Sequence, residues 1–139
     1  GYAVVMGDSH TCTDGAFGAF TPGVGTTDLA VAVLKGVCAF RTPRTMKVTL
    51  TGALRPGVFA KDVILAIIGR LGVQAGAGFA YEYAGDAVAR MSMDERMTMC
   101  NMSIEGGARL GYVNPDETTF AWLAGRPRVP RGPGKLGGA

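Results

Sequence analysis

The sequence predicts an α/β fold, a layered α/β/α domain with a mixed sheet, on three observations. Apolar segments of strand length alternate with segments that follow the helical period, in the order strand, helix, strand, helix, strand, helix. The 22 glycines fall mostly at the ends of these segments rather than in a repeat, which marks tight turns. The first apolar run, Tyr2–Met6, is continuous rather than alternating, the pattern of a parallel strand buried on both faces.

With 139 residues, 47% of them hydrophobic and 18% charged, the chain suits one globular domain, residues 1–125, followed by a Pro-, Gly- and Arg-rich tail, 126–139, expected to be disordered. It opens at Gly1 directly into an expected core strand, so it is expected to be a piece of a longer polypeptide. The formal charge of +3 is mild. The basic cluster Arg126, Arg128, Arg131 and Lys135 lacks interleaved aromatics, so a solvated tail is expected rather than nucleic-acid binding. No apolar run approaches the ~20 residues of a membrane span, and no signal-peptide layout is present, so a cytoplasmic location is expected.

The expected strand Tyr2–Met6 delivers Gly7-Asp8-Ser9-His10-Thr11-Cys12-Thr13 to its carboxyl end, the edge where open α/β sheets bind ligands. This turn holds a carboxylate, a hydroxyl and the only histidine of the chain. Gly15, Gly18, Gly23 and Gly25 follow with Pro22, without the pattern of a phosphate loop. Thr26 or Thr27 is expected to cap a helix that runs to Gly36 and, being apolar nearly all round, packs on several sides. Thr45–Thr51 alternates as a half-exposed strand, with Met46, Val48 and Leu50 inward. Beyond the Pro56-Gly57 turn, Val63, Ile64, Ile67, Ile68 and Leu71 mark the buried stripe of a helix, Ala60–Leu71, ending at Gly72.

Phe79–Tyr83 reads as a short strand with Glu82 on its polar face. Ser92-Met93-Asp94-Glu95 is a capping box. The helix it starts carries an apolar stripe of Met93, Met97, Cys100, Ile104 and Ala108, while Asn101 and Glu105, four apart, share another face. That face is either a solvated side or part of a site. Gly106 and Gly107 imply a helix end or a close backbone approach. Asn114 as cap and Pro115 at the first helical position open a last helix, which packs Phe120, Trp122 and Leu123 and stops at Gly125.

Cys12, Cys38 and Cys100 form neither a disulfide framework nor a metal-binding spacing, and are expected to be buried thiols. A Ser-His or Cys-His hydrolase built on Ser9, Cys12 and His10 lacks a nucleophile-elbow sequence, and neighbours on a turn usually point apart.

Several motifs in order, Gly7-Asp8-Ser9-His10-Thr11, Gly15-Ala16-Phe17-Gly18, Gly23-Val24-Gly25-Thr26, Ala60-Lys61-Asp62-Val63-Ile64-Leu65, Cys100-Asn101-Met102-Ser103-Ile104-Glu105-Gly106-Gly107-Ala108 and Pro115-Asp116-Glu117-Thr118-Thr119-Phe120, resemble the aconitase superfamily over about residues 2–125. The resemblance implies an aconitase-type fold and a hydro-lyase that removes and re-adds water on a hydroxy-di- or tricarboxylic acid. It implies a [4Fe-4S] cluster held by three thiolates, whose open iron binds the substrate. By the same resemblance Asp8 and His10 would hydrogen-bond the leaving hydroxyl, and Ser9 a substrate carboxylate. Asn101 would lie beside the cluster without being a ligand, and Glu105 would pair with and orient His10. The family's cluster cysteines, its base serine on a swivelling domain or small subunit and its substrate arginines have no match here. The implied partners are therefore the substrate, the remainder of a large subunit and a small swivelling subunit or domain. Three identities stay open: a hydro-lyase piece for one hydroxy acid of this class, the same for aconitate or homoaconitate, and a non-catalytic binding or structural module with this fold.

Overall fold

A computed structural model describes residues 3–127 and Val129. Most of the expected tail therefore lies outside the described residues, as does Tyr2. The elements are a 3-10 segment Ser9–Phe17, α1 (Thr26–Lys35), β1 (Arg44–Thr49), α2 (Ala60–Leu71), β2 (Phe79–Ala84), α3 (Asp86–Ala89), α4 (Met93–Asn101), a second 3-10 segment Met102–Gly106, β3 (Gly111–Val113) and α5 (Glu117–Leu123).

The α/β expectation holds, and among the described residues the sheet is parallel throughout rather than mixed. Its order is β1-β2-β3, with Met46 opposite Tyr81 and Val48 opposite Tyr83 in one pair, and Tyr81 opposite Gly111 and Tyr83 opposite Val113 in the other. The core joins Tyr81, Tyr83 and Val113 to Ile64 of α2, Val88 of α3 and Met93, Met99 and Cys100 of α4, with Met46 and Val48 packed against it. The opposite face of the sheet carries Thr45, Lys47, Glu82 and Tyr112, all exposed or half-buried, so a covering layer on that side is not present among the described residues.

α2 has the bounds its apolar period and Gly72 imply, with Ile64 fully buried, although Leu71 at its end is exposed. The Asp62 carboxylate accepts from the Phe59 N–H, tying down a donor left over at the helix start. The Ser92–Glu95 capping box forms as expected: Glu95 N–H donates to Ser92 Oγ at 3.3 Å, and Ser92 N–H donates to Glu95 Oε2 at 2.8 Å.

Other expectations need correction. The run ahead of His10 is no buried sheet strand: the described residues 3–6 make two isolated parallel bridges, Ala3 with Phe20 and Met6 with Gly23, and Met6 is exposed. A continuous apolar run reports surface that water disfavours, but not which partner covers it. α1 is capped by Gly25, without a side-chain bond from either threonine, and it buries no residue completely; Val33 and Leu34 are exposed. At α5 the cap is Asp116, not Asn114. Its carboxylate accepts from Thr118 and Thr119 N–H, which shifts the helix start beyond Pro115 to Glu117.

The 3-10 segment Ser9–Phe17 lies against the start of β3 at Gly15, and α4 with the second 3-10 segment lies against the same point at Gly111. A Cβ on Gly15 would collide with the Gly111 carbonyl, and one on Gly111 with Ser103 Oγ and Cys100 Cα. The segment ends at Gly18 with φ +75°, where Pro115 packs on the glycine and Phe17 stacks on Trp122 at 5.0 Å between ring centroids. The His10 turn is thus wedged between α4, β3 and the approach to α5. It sits beside the beginning of β3 rather than beyond the strands' carboxyl ends.

Candidate active site

Asp8, Ser9, His10 and Glu105 come together. Asp8 caps the first 3-10 segment: its Oδ1 accepts from the His10 N–H at 2.8 Å. Thr11 Oγ1 donates to Asp8 O at 2.6 Å, closing the same turn from the other side. This leaves the His10 ring pointing at the second 3-10 segment, where His10 Nε2 lies 2.9 Å from Glu105 Oε1 across 95 positions of sequence. Ser9 Oγ lies 3.1 Å from His10 Nδ1, and Asp8 Oδ1 lies 3.9 Å from the same nitrogen.

These contacts fix the roles of the ring nitrogens. A carboxylate accepts only, so Nε2 carries the proton that binds Glu105, and Nδ1 faces Ser9 and Asp8. The side chains of His10 and Glu105 are 41% and 45% exposed, so the pair is open to a ligand.

Glu105 owes its place to β2. Tyr81 donates to Gly106 O at 3.1 Å. Ser103 Oγ donates to Met99 O at 3.0 Å, so Tyr83 must be the donor in its 2.8 Å bond to Ser103. Burial pushes the Tyr83 phenol well above its ordinary range, which keeps that proton in place. Gly107, with φ +82°, ends the segment there, as the paired glycines implied.

Asn101 is placed beside the turn but not against the ring. Its Nδ2 donates to Thr13 Oγ1 at 2.8 Å. Sequence reading passed over Thr13, whose position three residues after His10 is the spacing of a hydroxyl bonding back to a backbone carbonyl. It also passed over Arg96. That side chain is fully buried, bonded at 2.7 Å to each carboxylate oxygen of Asp116 and donating to Met91 O and Ala89 O at 3.1 Å each. A charged residue beside a capping box reads as surface, and only the tertiary fold shows otherwise.

Among the described residues no group of three or more His, Cys, Asp or Glu side chains is arranged to hold a metal ion. Cys12 and Cys100 are buried and Cys38 is half-buried, and the three join no such group. Burial pushes the Cys12 thiol up to about 11, and the Cys100 thiol is likewise raised by burial. This rise argues against a nucleophilic Cys12 and yields an expected result. With a thiol reagent at neutral pH, half-buried Cys38 should be modified first, and Cys12 and Cys100 only on denaturation. Rapid native labelling of Cys12, abolished by His10→Ala, would reverse this and restore the Cys-His pairing. No helix among the described residues is long and apolar enough to cross a membrane.

Comparison with known proteins agrees with the motifs. The sequence model of the Aconitase family (aconitate hydratase) matches residues 1–135, so the likeness continues past Gly125 into the tail. The chain is 56% identical over 132 residues to the 3-isopropylmalate dehydratase large subunit of Opitutus terrae, covering 95% of this chain and 28% of that protein. It is 55% identical over 132 residues to the protein of the same name from Thermus thermophilus, with the same 95% and 28% coverage. For that of Geobacter sulfurreducens the identity is 56% over 123 residues, 88% of this chain and 29% of the relative. The chain thus spans under a third of the length of the curated relatives it matches. With a family match over nearly its whole length, the chain belongs to the aconitase family.

Proposed function

We propose that this chain is the part of a hydro-lyase large subunit that supplies Asp8, Ser9, His10 and Glu105 to the dehydration and rehydration of a hydroxy-dicarboxylic acid of the 3-isopropylmalate type, a step of leucine biosynthesis in the cytoplasm. Its partners in this reading are the remainder of the large subunit, a small swivelling subunit and a [4Fe-4S] cluster whose thiolate ligands lie outside these residues. Bound, such a cluster supplies a Lewis acid for the substrate's hydroxyl.

The observation that carries the reading is the 2.9 Å contact between His10 Nε2 and Glu105 Oε1, made by two motifs 95 positions apart. Glu105 holds the ring by Nε2–H, which leaves Nδ1 facing Ser9 and Asp8. With the ring protonated, Nδ1–H is the proton delivered to the departing hydroxyl, whose C–O bond breaks as it leaves as water, while a base on the swivelling subunit takes the proton from the neighbouring carbon. Asp8 Oδ2, not used in capping the turn, accepts from that hydroxyl and orients it. The Ser9 hydroxyl donates to a substrate carboxylate. Asn101, bonded to Thr13 of the same turn, is assigned in this reading to the cluster side of the site, without being a ligand.

The test replaces the matching segment of the Thermus thermophilus large subunit with residues of this chain and assembles the chimera with a small subunit. Turnover of 3-isopropylmalate within about tenfold of the parent enzyme is expected, since a tenfold loss corresponds to only ~1.4 kcal/mol of barrier. A chimera that folds and assembles but turns over nothing would reject the reading.

A further inference from the structure

We propose that Thr13 is a positioning residue for His10, its hydroxyl coupling the Asn101 side chain to the backbone of the His10 turn; the catalytic meaning of this coupling rests on the reading above. Thr13 Oγ1 lies 2.7 Å from His10 O and 2.8 Å from Asn101 Nδ2. A carbonyl oxygen only accepts, so the single hydroxyl proton of Thr13 goes to His10 O. The Thr13 oxygen must then accept from Asn101, which fixes the amide with Nδ2 towards Thr13 and Oδ1 turned away.

A second tie joins the same two elements. The Cys12 thiol lies 3.3 Å from the backbone carbonyl of Asn101, and burial keeps it a donor. Asn101 is also the residue at which α4 passes into the 3-10 segment that carries Glu105. Thr13 therefore locks both halves of the His10–Glu105 pair to one frame: His10 through its own carbonyl, Glu105 through the backbone that follows Asn101. The pair needs such a frame, because a contact between two half-exposed side chains is too weak to hold them in register by itself.

His10 is the only histidine, so its ring gives one set of nitrogen resonances. The experiment introduces Glu105→Gln into the full chain in three backgrounds, unaltered, Thr13→Ser and Thr13→Val, and reads the displacement of the His10 Nε2 signal. Thr13→Val keeps the shape of the side chain and removes only the hydroxyl. The expected result is a clear displacement in the unaltered and Thr13→Ser chains and loss of at least half of it in Thr13→Val, while amide signals away from the turn stay put. An undiminished displacement in Thr13→Val would overturn the proposal. If Thr13→Val does not fold, Asn101→Ala takes its place, since it removes the other partner of the hydroxyl, and an undiminished displacement there overturns the proposal equally. No turnover enters this measurement, so an inactive chimera and a failed coupling are separate results.

Discussion

Asp116→Ala will weaken the fold more than Arg96→Met, although the two residues share one ion pair. Arg96 is fully buried whereas the Asp116 side chain is 41% exposed. Removing the carboxylate strands a cation in the interior with only carbonyls and Thr119 Oγ1 for company, a change that typically costs about 3–5 kcal/mol. It also strips α5 of its cap, for about 1 kcal/mol more. Replacing Arg96 by Met removes the buried charge itself and leaves an aspartate that water can reach. The loss is then chiefly that of donors to Ala89 O and Met91 O, about 1–3 kcal/mol.

The pair also predicts a pH dependence. The hydrogen bonds from Arg96 hold the Asp116 carboxyl below the usual carboxylate range. Its contribution to stability is therefore fully present above the unfolded value, near pH 4, and disappears as pH falls through the lower folded value. Urea unfolding at pH 7 should place Asp116→Ala lowest and Arg96→Met between it and the unaltered chain, with the gap between the unaltered chain and Arg96→Met narrowing in acid. Equal midpoints for the two variants at pH 7 would show that Arg96 is not held as a buried charge.

The second large effect is expected on turnover. In the chimera described above, Glu105→Gln keeps an oxygen near His10 Nε2 but removes the charged acceptor that holds and orients the ring, and should lower kcat by about 10²–10⁴-fold, the range general acid–base groups contribute. KM should change far less, because Glu105 acts through His10 and touches no substrate in this mechanism. A loss expressed wholly in KM would assign Glu105 to substrate binding instead.

What the sequence made legible was local. The period of α2 and the hydroxyl–carboxylate spacing of Ser92 and Glu95 are set within a few residues, and both formed as read. β3 escaped because three residues, Gly111–Val113, carry no period, and their strand character comes from pairing with β2. Asn101 and Glu105 were read as sharing a helix face, which assumes about 100° per residue throughout. The chain instead tightens to 3-10 after Asn101, where each residue turns about 120°, so the two side chains diverge and reach different parts of the His10 turn, Thr13 and the ring. The meeting of His10 with Glu105 followed from the family resemblance. Nothing in the spacing of the residues themselves brings them together.

The parallel order β1-β2-β3 bears on how the molecule comes into being. No strand can meet its neighbour until a helical crossover has been laid down, α2 for the first pair and α3 with α4 for the second. Contacts of such long sequence separation place a chain among the slower folders, since loop-closure entropy is lost before the pairing offsets it. His10 precedes β1 and Glu105 lies in the connection from β2 to β3, so the pair can close only after the intervening chain through β1, α2, β2 and α4 has been laid down. An arrested chain would present the tyrosine face of β2 and an unpaired strand edge to its neighbours, the usual route to aggregation. Competence at His10 thus depends on a contact of long sequence separation and is not a property of the turn alone.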